Sequence, residues 1–382
     1  MPKLIACAAA AALAASALAA QPGGTPAAAP AAPEAAPRPE LDSPVTPEEA
    51  RGAALRLAEI LQENYADPAV GARYAAALRA KAGRGGYDAA GTRRTLATAL
   101  TEDLRIVAED RHLRVGPAPA GAQLGGGPGA RPGRMPGMPQ PVEATRWLAP
   151  GIAFVRLNVF PGDRETVEAA RRFMADHAEA RTIIFDLRTH RGGGLAEMDA
   201  IFPFLYERPT RLLVMDTRGS VERGRGAPTG ESPTLRTVPA EGDIVRREHV
   251  VEPHAAERRL FDAEVIVLTS QMTFSAAEHF TLALRRTGRA TLIGEPTGGG
   301  GNYGGFRAIG AGVGAFVPVG TTRDPETGAR WEGNGIEPHV RVPAEQALVE
   351  ALVRSGVGRA EAERLSAQVA PTGPMRRPRP AS

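Results

Sequence analysis

From residue 151 onward the chain alternates short apolar runs with helix-like segments, and this constrains its fold more than any other feature. GIAFVRLNVF (151–160), RTIIFDLR (181–188), RLLVMDTR (211–218), AEVIVLTS (263–270) and ATLIGE (290–295) read as strands. DRETVEAARRFMADHA (163–178), LAEMDAIFPFLY (195–206) and SAAEHFTLALRR (275–286) read as helices between them. Buried-type strands separated by helices are the pattern of βαβ units, so an α/β core is expected. Residues 218–258 form a charged, hairpin-rich excursion. RAIGAGVGAFVPVG (307–320) reads as a β-hairpin. Its G-x-G-x-G spacing is not the dinucleotide fingerprint, because no helix follows it.

Upstream, the chain is helical. Thr46, Pro47 and Glu49 form an N-terminal capping signal, and Ala54, Leu55, Leu57, Ile60 and Leu61 share one face of the helix that follows. RYAAALRAKA (73–82) and TRRTLATALTEDLRIVA (92–108) continue this unit. The expected organisation is a signal peptide over 1–20, a Pro/Ala-rich linker over 21–43 and an N-terminal helical domain over 44–116. A Gly/Pro-rich loop over 117–142, the α/β core over 143–355, and a C-terminal helix with a Pro/Arg-rich tail over 356–382 complete it.

Lys3, a following Ala/Leu stretch and the small residues around Ala17 and Ala19 give the start of the chain its export signature, with a periplasmic destination expected. That stretch is too short and too weakly apolar for a stable membrane span. Cys7 is the only cysteine, so the exported chain has no disulfide or thiol chemistry. A net charge of +3, with no basic block interleaved with aromatics, argues against a nucleic-acid partner.

Two strand-to-helix junctions can carry chemistry. In IIFDLRTHRGGGLAEM, Gly192, Gly193 and Gly194 let the backbone approach a neighbour closely and aim N–H groups at it, as an oxyanion hole requires; an ordinary flexible loop fits equally well. In QMTFSAAEHF, Ser275 and Glu278 have the spacing of a capping box, yet a serine at a helix start also suits a nucleophile. No HExxH, CxxC or closely spaced histidine pair is present, so neither a metal nor another cofactor is expected. Of the seven histidines, His177, His249 and His254 read as solvated and His279 as a packing residue. His112, in EDRHLRV, stands apart at the end of the helical unit.

Taken together, DLRTHRGGG, LTSQMTFSAAEHF, GRATLIGEPTGGG and WEGNGIEPHV resemble, in order, the motifs of the S41 peptidases. That family includes C-terminal processing proteases, the tricorn core and interphotoreceptor retinoid-binding protein modules. EDRHLRV looks like its histidine segment. The resemblance implies a ClpP/crotonase-like α/β core and a serine-type peptidase acting on peptide or protein substrates. It assigns Ser275 as nucleophile, His112 as base and Glu332 as the acid that orients the base. Gly192 or Gly193, with Ala276, supplies the oxyanion hole. The processing proteases carry a lysine where this chain has Gly300, and Lys81 is the only lysine beyond Lys3, so a Ser–Lys dyad is excluded. With no PDZ-like stretch, the resemblance points to the tricorn-like or retinoid-binding branch. The alternative it carries is a non-catalytic module binding a hydrophobic ligand. Arg111 stands where tricorn-like enzymes have a relay serine, and is expected to lower the imidazole pKa or to pair with Glu332. Ala276 replaces the acidic residue by which tricorn selects basic side chains. Glu295 either holds the site or finishes its strand, and His190 and Arg191 either shape a pocket or are solvated.

Overall fold

The structure is a computed structural model that describes residues 41–118, 139–224 and 226–376. The expected signal peptide, nearly all of the Pro/Ala linker, most of the Gly/Pro-rich loop and the last six residues lie outside these. Three helices open the described chain: α1 (Pro47–Asn64), α2 (Pro68–Gly83) and α3 (Arg93–Val107). Strands β1 (Arg114–Pro117), β2 (Val142–Ala149) and β3 (Ile152–Leu157) follow, then α4 (Arg164–Asp176), β4 (Thr182–Asp186), α5 (Ala196–Ile201) and β5 (Thr210–Arg218). Next come α6 (Gly219–Arg223), β6 (Leu235–Val238), β7 (Ile244–Val251), β8 (Glu264–Thr269), α7 (Ala276–Arg286) and β9 (Thr291–Gly294). The chain closes with β10 (Asn302–Gly310), β11 (Val313–Arg323), β12 (Val340–Arg341), α8 (Ala347–Arg354) and α9 (Arg359–Gln368).

The expected alternation builds one sheet, in the order β12-β9-β8-β4-β3-β2, parallel except for the antiparallel β2 at its edge. Helices cover both faces, because successive residues of each strand point to opposite sides. Ile183 and Phe185 of β4 join Phe173 of α4 and Phe280 of α7 on one side, while Ile184 packs with Leu348 of α8 and Leu365 of α9 on the other. β5 departs from the expectation. It leaves this sheet and enters a second, antiparallel one in the order β1-β11-β5-β7-β6, with β10 also paired to β11. Parallel and antiparallel partners are not distinguished by an apolar run, so the local pattern of β5 could not specify its sheet.

The N-terminal helices do not close a core alone. Leu57, Leu61, Leu78 and Leu100 share a cluster with Val313, Ala315, Val317 and Val319 of β11, and the described residues fall into one compact unit. The capping box at Thr46 and Glu49 is formed. Leu55, assigned to the apolar face of α1, is 40% exposed instead; Ala50, Ala53 and Ala58 fill that face. No helix among the described residues is long and apolar enough to cross a membrane.

Candidate active site

The parallel strands β4 and β8 lie side by side and end together, at Asp186 and Thr269. The loops that leave them carry the two candidate junctions. Asp186 is fully buried and accepts from Arg188 at 2.7 and 2.8 Å and from Arg156 at 2.9 Å. Burial works against its ionisation, but the two guanidinium groups prevail and hold its pKa at about 2. The second loop is laced to the first. Ser270 Oγ donates to the Arg188 carbonyl at 2.6 Å, Thr273 Oγ1 to the Leu187 carbonyl at 2.8 Å, and the Phe274 N–H to the His190 carbonyl at 3.1 Å.

Ser275 sits on this anchored turn with φ 60° and ψ −121°, a backbone conformation that favours glycine. Holding a serine there costs about 1–3 kcal/mol, which surrounding contacts must offset. α7 starts at the next residue. The carboxylate half of the capping box is present, since the Ser275 N–H donates to Glu278 Oε2 at 2.8 Å. The Glu278 N–H, however, has its short contact with the Ser275 carbonyl, at 2.8 Å. Glu278 does more than cap. Its buried carboxylate also accepts from the N–H groups of Gly299 and Gly300, both at 2.7 Å, and from Thr297 Oγ1 at 2.5 Å. Burial raises its pKa, while these four donors favour the ionised form. It therefore ties the Ser275 turn to residues 297–300, a link the local S-x-x-E spacing does not reveal. We expect Glu278→Gln, which turns one acceptor into a donor facing other donors, to cost about 3–5 kcal/mol of stability. The shift of the urea midpoint at constant m-value measures it.

The glycine loop approaches from the other side. A Cβ on Gly192, whose φ is +101°, would lie 2.7 Å from Ser275 Cβ and 3.3 Å from Ser275 Oγ, so no side chain fits there. Gly192 does not offer the oxyanion donor expected of it, because its N–H is committed to His190 Nδ1 at 3.0 Å. The Gly194 N–H is likewise committed, to the Phe160 carbonyl at 2.8 Å. Gly193 and Ala276 both line the cavity over Ser275. His190 is neither solvated nor a pocket wall. Fully buried against Phe160, it has its pKa lowered to about 3 by desolvation, and it stays neutral to accept the Gly192 N–H. Arg191 does line the cavity.

His112 reaches the same cavity from the turn between α3 and β1. Asp110 shapes that turn, its Oδ1 accepting the N–H groups of His112 at 2.8 Å and Leu113 at 3.0 Å. Its Oδ2 accepts from Tyr65 at 2.7 Å and from Asn302 at 2.9 Å. The imidazole is 3% exposed and lies between Phe274 and Phe316, with ring centroids 4.5 and 5.5 Å away. Glu332 is no exposed loop acid. Its side chain is 16% exposed, and Oε2 stands 4.0 Å from His112 Nδ1, an electrostatic contact longer than a hydrogen bond. Glu332 accepts the N–H groups of Arg111 at 3.0 Å, Gly301 at 2.7 Å and Asn302 at 2.8 Å. Burial first, and then the charge of Asp110, raise its pKa to about 7. The Arg111 guanidinium does not pair with it, but turns to the Gly298 carbonyl at 2.7 Å and to Glu109 at 3.3 Å. A Cβ on Gly300 would fall 2.4 Å from the Phe274 ring and 2.6 Å from His112 Cε1, so the imidazole occupies the space a side chain at position 300 would need.

Asp110, His112 and Glu332 also bring one potential metal-ligating atom each within 4.8 Å of one another. Both oxygens of each carboxylate already accept from the protein's own N–H and O–H donors, which accounts for the cluster without an ion. Glu295 holds a different region, accepting from the Ala344 N–H at 3.4 Å and from Arg376 at 3.0 Å. Two of the three histidines read as solvated are not. His177 is buried under Trp147 and Phe173, and His249 is fully buried between Asp199 and His279, whereas His254 is half-buried and stacks on Phe204. The neighbours of His249, Asp199 and His279, come from other elements, so no spacing in the sequence could flag it.

A strained serine at a strand-to-helix turn and a buried histidine thus line one cavity of about 760 Å³. Residues 151–342 match the sequence profile of peptidase family S41, and residues 48–148 that of the N-terminal domain of Peptidase_S41 in eukaryotic IRBP. The chain belongs to peptidase family S41. Among solved structures, it is similar to the photosystem II D1 C-terminal processing protease at 17% identity and a TM-score of 0.51, covering 82% of this chain and 99% of that one. It is also similar to a putative peptidase from Parabacteroides merdae at 19% identity and a TM-score of 0.53, covering 82% and 98%. At these identities the likeness concerns the fold.

Proposed function

We propose that this protein is a serine peptidase that cleaves peptide bonds through an acyl-enzyme, with Ser275 as nucleophile and His112 as base. The observation that carries the reading is the left-handed backbone of Ser275, held on the cavity that His112 also lines. A helix cap has no need of such strain, whereas a nucleophile gains by being lifted out of the backbone toward the substrate. Ser275 Oγ attacks the peptide carbonyl while His112 takes its proton. The Gly193 and Ala276 N–H groups stabilise the oxyanion, each worth about 10²–10³ in rate. His112 then gives the proton to the leaving amine, and water releases the acyl group by the same steps in reverse. Glu332 lies too far to fix the imidazole by a direct hydrogen bond. It acts through its charge at 4.0 Å from Nδ1 and by fixing the Arg111, Gly301 and Asn302 backbone around the ring.

This role has a pH signature. Glu332 must be ionised to stabilise the imidazolium, so kcat/KM should rise with pH through about 7, and this limb should be lost in Glu332→Gln. Stability should move the other way. The folded-state pKa lies above the ordinary 4.5, so between these values the folded form keeps a proton that the unfolded form has released. Stability therefore falls as pH rises through that window, and the slope of Tm against pH should be shallower in Glu332→Gln.

Fluorophosphonate labelling tests the reading. The wild-type protein should label at one site, and both Ser275→Ala and His112→Ala should abolish it. A folded wild type that does not label would overturn the peptidase reading and bring forward the hydrophobic-ligand module. The opening residues support export, so we also propose that the enzyme acts on peptides or proteins in the periplasm.

A further inference from the structure

His279 lies in the first turn of α7, four residues after Ser275, and both line the cavity. The helix alone does not account for what surrounds this histidine. Its Nε2 lies 2.8 Å from Nδ1 of His249, and Nε2 of His249 lies 2.9 Å from Oδ1 of Asp199. Asp199 Oδ2 accepts from Thr234 Oγ1 at 3.0 Å. Both imidazoles are nearly inaccessible, at 3% and 0% exposed. Nothing in peptide hydrolysis as described above uses this chain of three groups.

The chain has a polarity. A carboxylate only accepts, so His249 carries its proton on Nε2. When His249 holds only that proton, its Nδ1 is an acceptor and His279 donates from its own Nε2. His279 Nδ1 is then left without a proton, as a hydrogen-bond acceptor. Among the described residues it has no partner. Burial keeps the pKa of His279 well below the ordinary histidine value, so the ring stays neutral. Leu195, Met215, Leu235 and Trp331 give the cavity wall apolar surface, while Arg114 and Arg191, against the single acid Glu231, disfavour a cationic guest.

We propose that His279 is a specificity-determining residue: its Nδ1 accepts a hydrogen bond from an uncharged donor on the substrate side chain beside Ser275, such as the amide of glutamine. Asp199 and His249 are positioning residues that fix the His279 tautomer from outside the cavity. The proposal rests on the peptidase reading for its kinetic consequence but not for its structural one. A site built around one buried acceptor discriminates against an isostere that cannot donate, because binding that isostere leaves the acceptor desolvated and unpaired.

The test has two arms. In 15N-imidazole spectra of the Ser275→Ala protein, which requires no turnover, His279 should be protonated at Nε2 and bare at Nδ1. Adding acetyl-Ala-Ala-Gln-amide should shift the Nδ1 resonance, and the isosteric Met peptide should not. A proton on Nδ1, or equal shifts with both peptides, overturns the proposal whether or not the enzyme turns over. In the kinetic arm, fluorogenic Ala-Ala-Gln and Ala-Ala-Met substrates are compared within each protein, so that the ratio is independent of overall activity. The wild type should favour Gln by about 10–100-fold in kcat/KM, and His279→Phe should bring the ratio near one. His249→Phe, which leaves His279 in place but removes its acceptor, should give mixed tautomers and an intermediate ratio. A labelled enzyme with no Gln preference, or a preference surviving in His279→Phe, would sink the proposal. Failure to label would instead fall on the peptidase reading.

Discussion

Ser275→Ala is expected to lower kcat for peptide hydrolysis by about 10⁴–10⁶-fold, since the steps after substrate binding all pass through its Oγ. The more telling variant is Ser275→Gly. If the serine were there as a helix cap, glycine would cost a few tenths of a kcal/mol. The backbone at this position has φ 60° and ψ −121°, however, and the Ser275 N–H keeps its bond to Glu278 whatever the side chain. Glycine adopts that conformation without strain, so Ser275→Gly should raise stability by about 1 kcal/mol while abolishing activity. Ser275→Ala retains a Cβ and with it the strain. Thermal denaturation of the three proteins, alongside burst kinetics, measures both effects. A Gly variant less stable than wild type would mean that the serine side chain contributes more as a cap than it costs in strain.

Gly300→Ala should be the next most damaging change, although it adds a single carbon. That carbon would stand 2.4 Å from the Phe274 ring and 2.6 Å from His112 Cε1, distances at which something must move. Phe274 precedes the proposed nucleophile and His112 is the proposed base, so any shift reaches the proposed reacting pair. Displacing a catalytic group by about 1 Å can cost 10²-fold, and a loss of at least that size in kcat is expected, with KM moving less. Gly300→Lys should be equally inactive. Restoring the residue that processing proteases carry does not build a Ser–Lys dyad in a cavity whose space the imidazole fills. Fluorophosphonate labelling rates read this without a known substrate, and a Gly300→Ala protein that labels at the wild-type rate would argue against His112 as the base.

Some of the site follows from local physics and was legible in the chain. A run such as TIIFD can be satisfied only by burial on both faces, so the parallel sheet followed from the alternation of such runs with helices. Ser275, His112 and the glycines stand in ordered motifs next to element ends, where backbone geometry makes them available. Glu278 was legible only as a cap, because its other three donors lie about 20 residues away in sequence. Arg111 was misjudged for a related reason. Residue type indicates that a guanidinium needs an acceptor, but not that the Gly298 carbonyl would supply it while the Arg111 backbone went to Glu332.

The sequence by itself therefore determined the family, the α/β core, the order of the elements and the absence of a lysine from the site, all of which depend on periodicity or on residue identity. Tertiary structure alone decided that β5 joins the antiparallel sheet and that the N-terminal helices share their core with β11. It also decided that the Gly192 N–H goes to His190, and that Asp199, His249 and His279 form a hydrogen-bonded row leading to the cavity that Ser275 lines. Each of these is a pairing between groups distant in the chain. Hydrogen bonds and packing depend on separations of a few ångströms, and those distances exist only once the sheets have closed on one another.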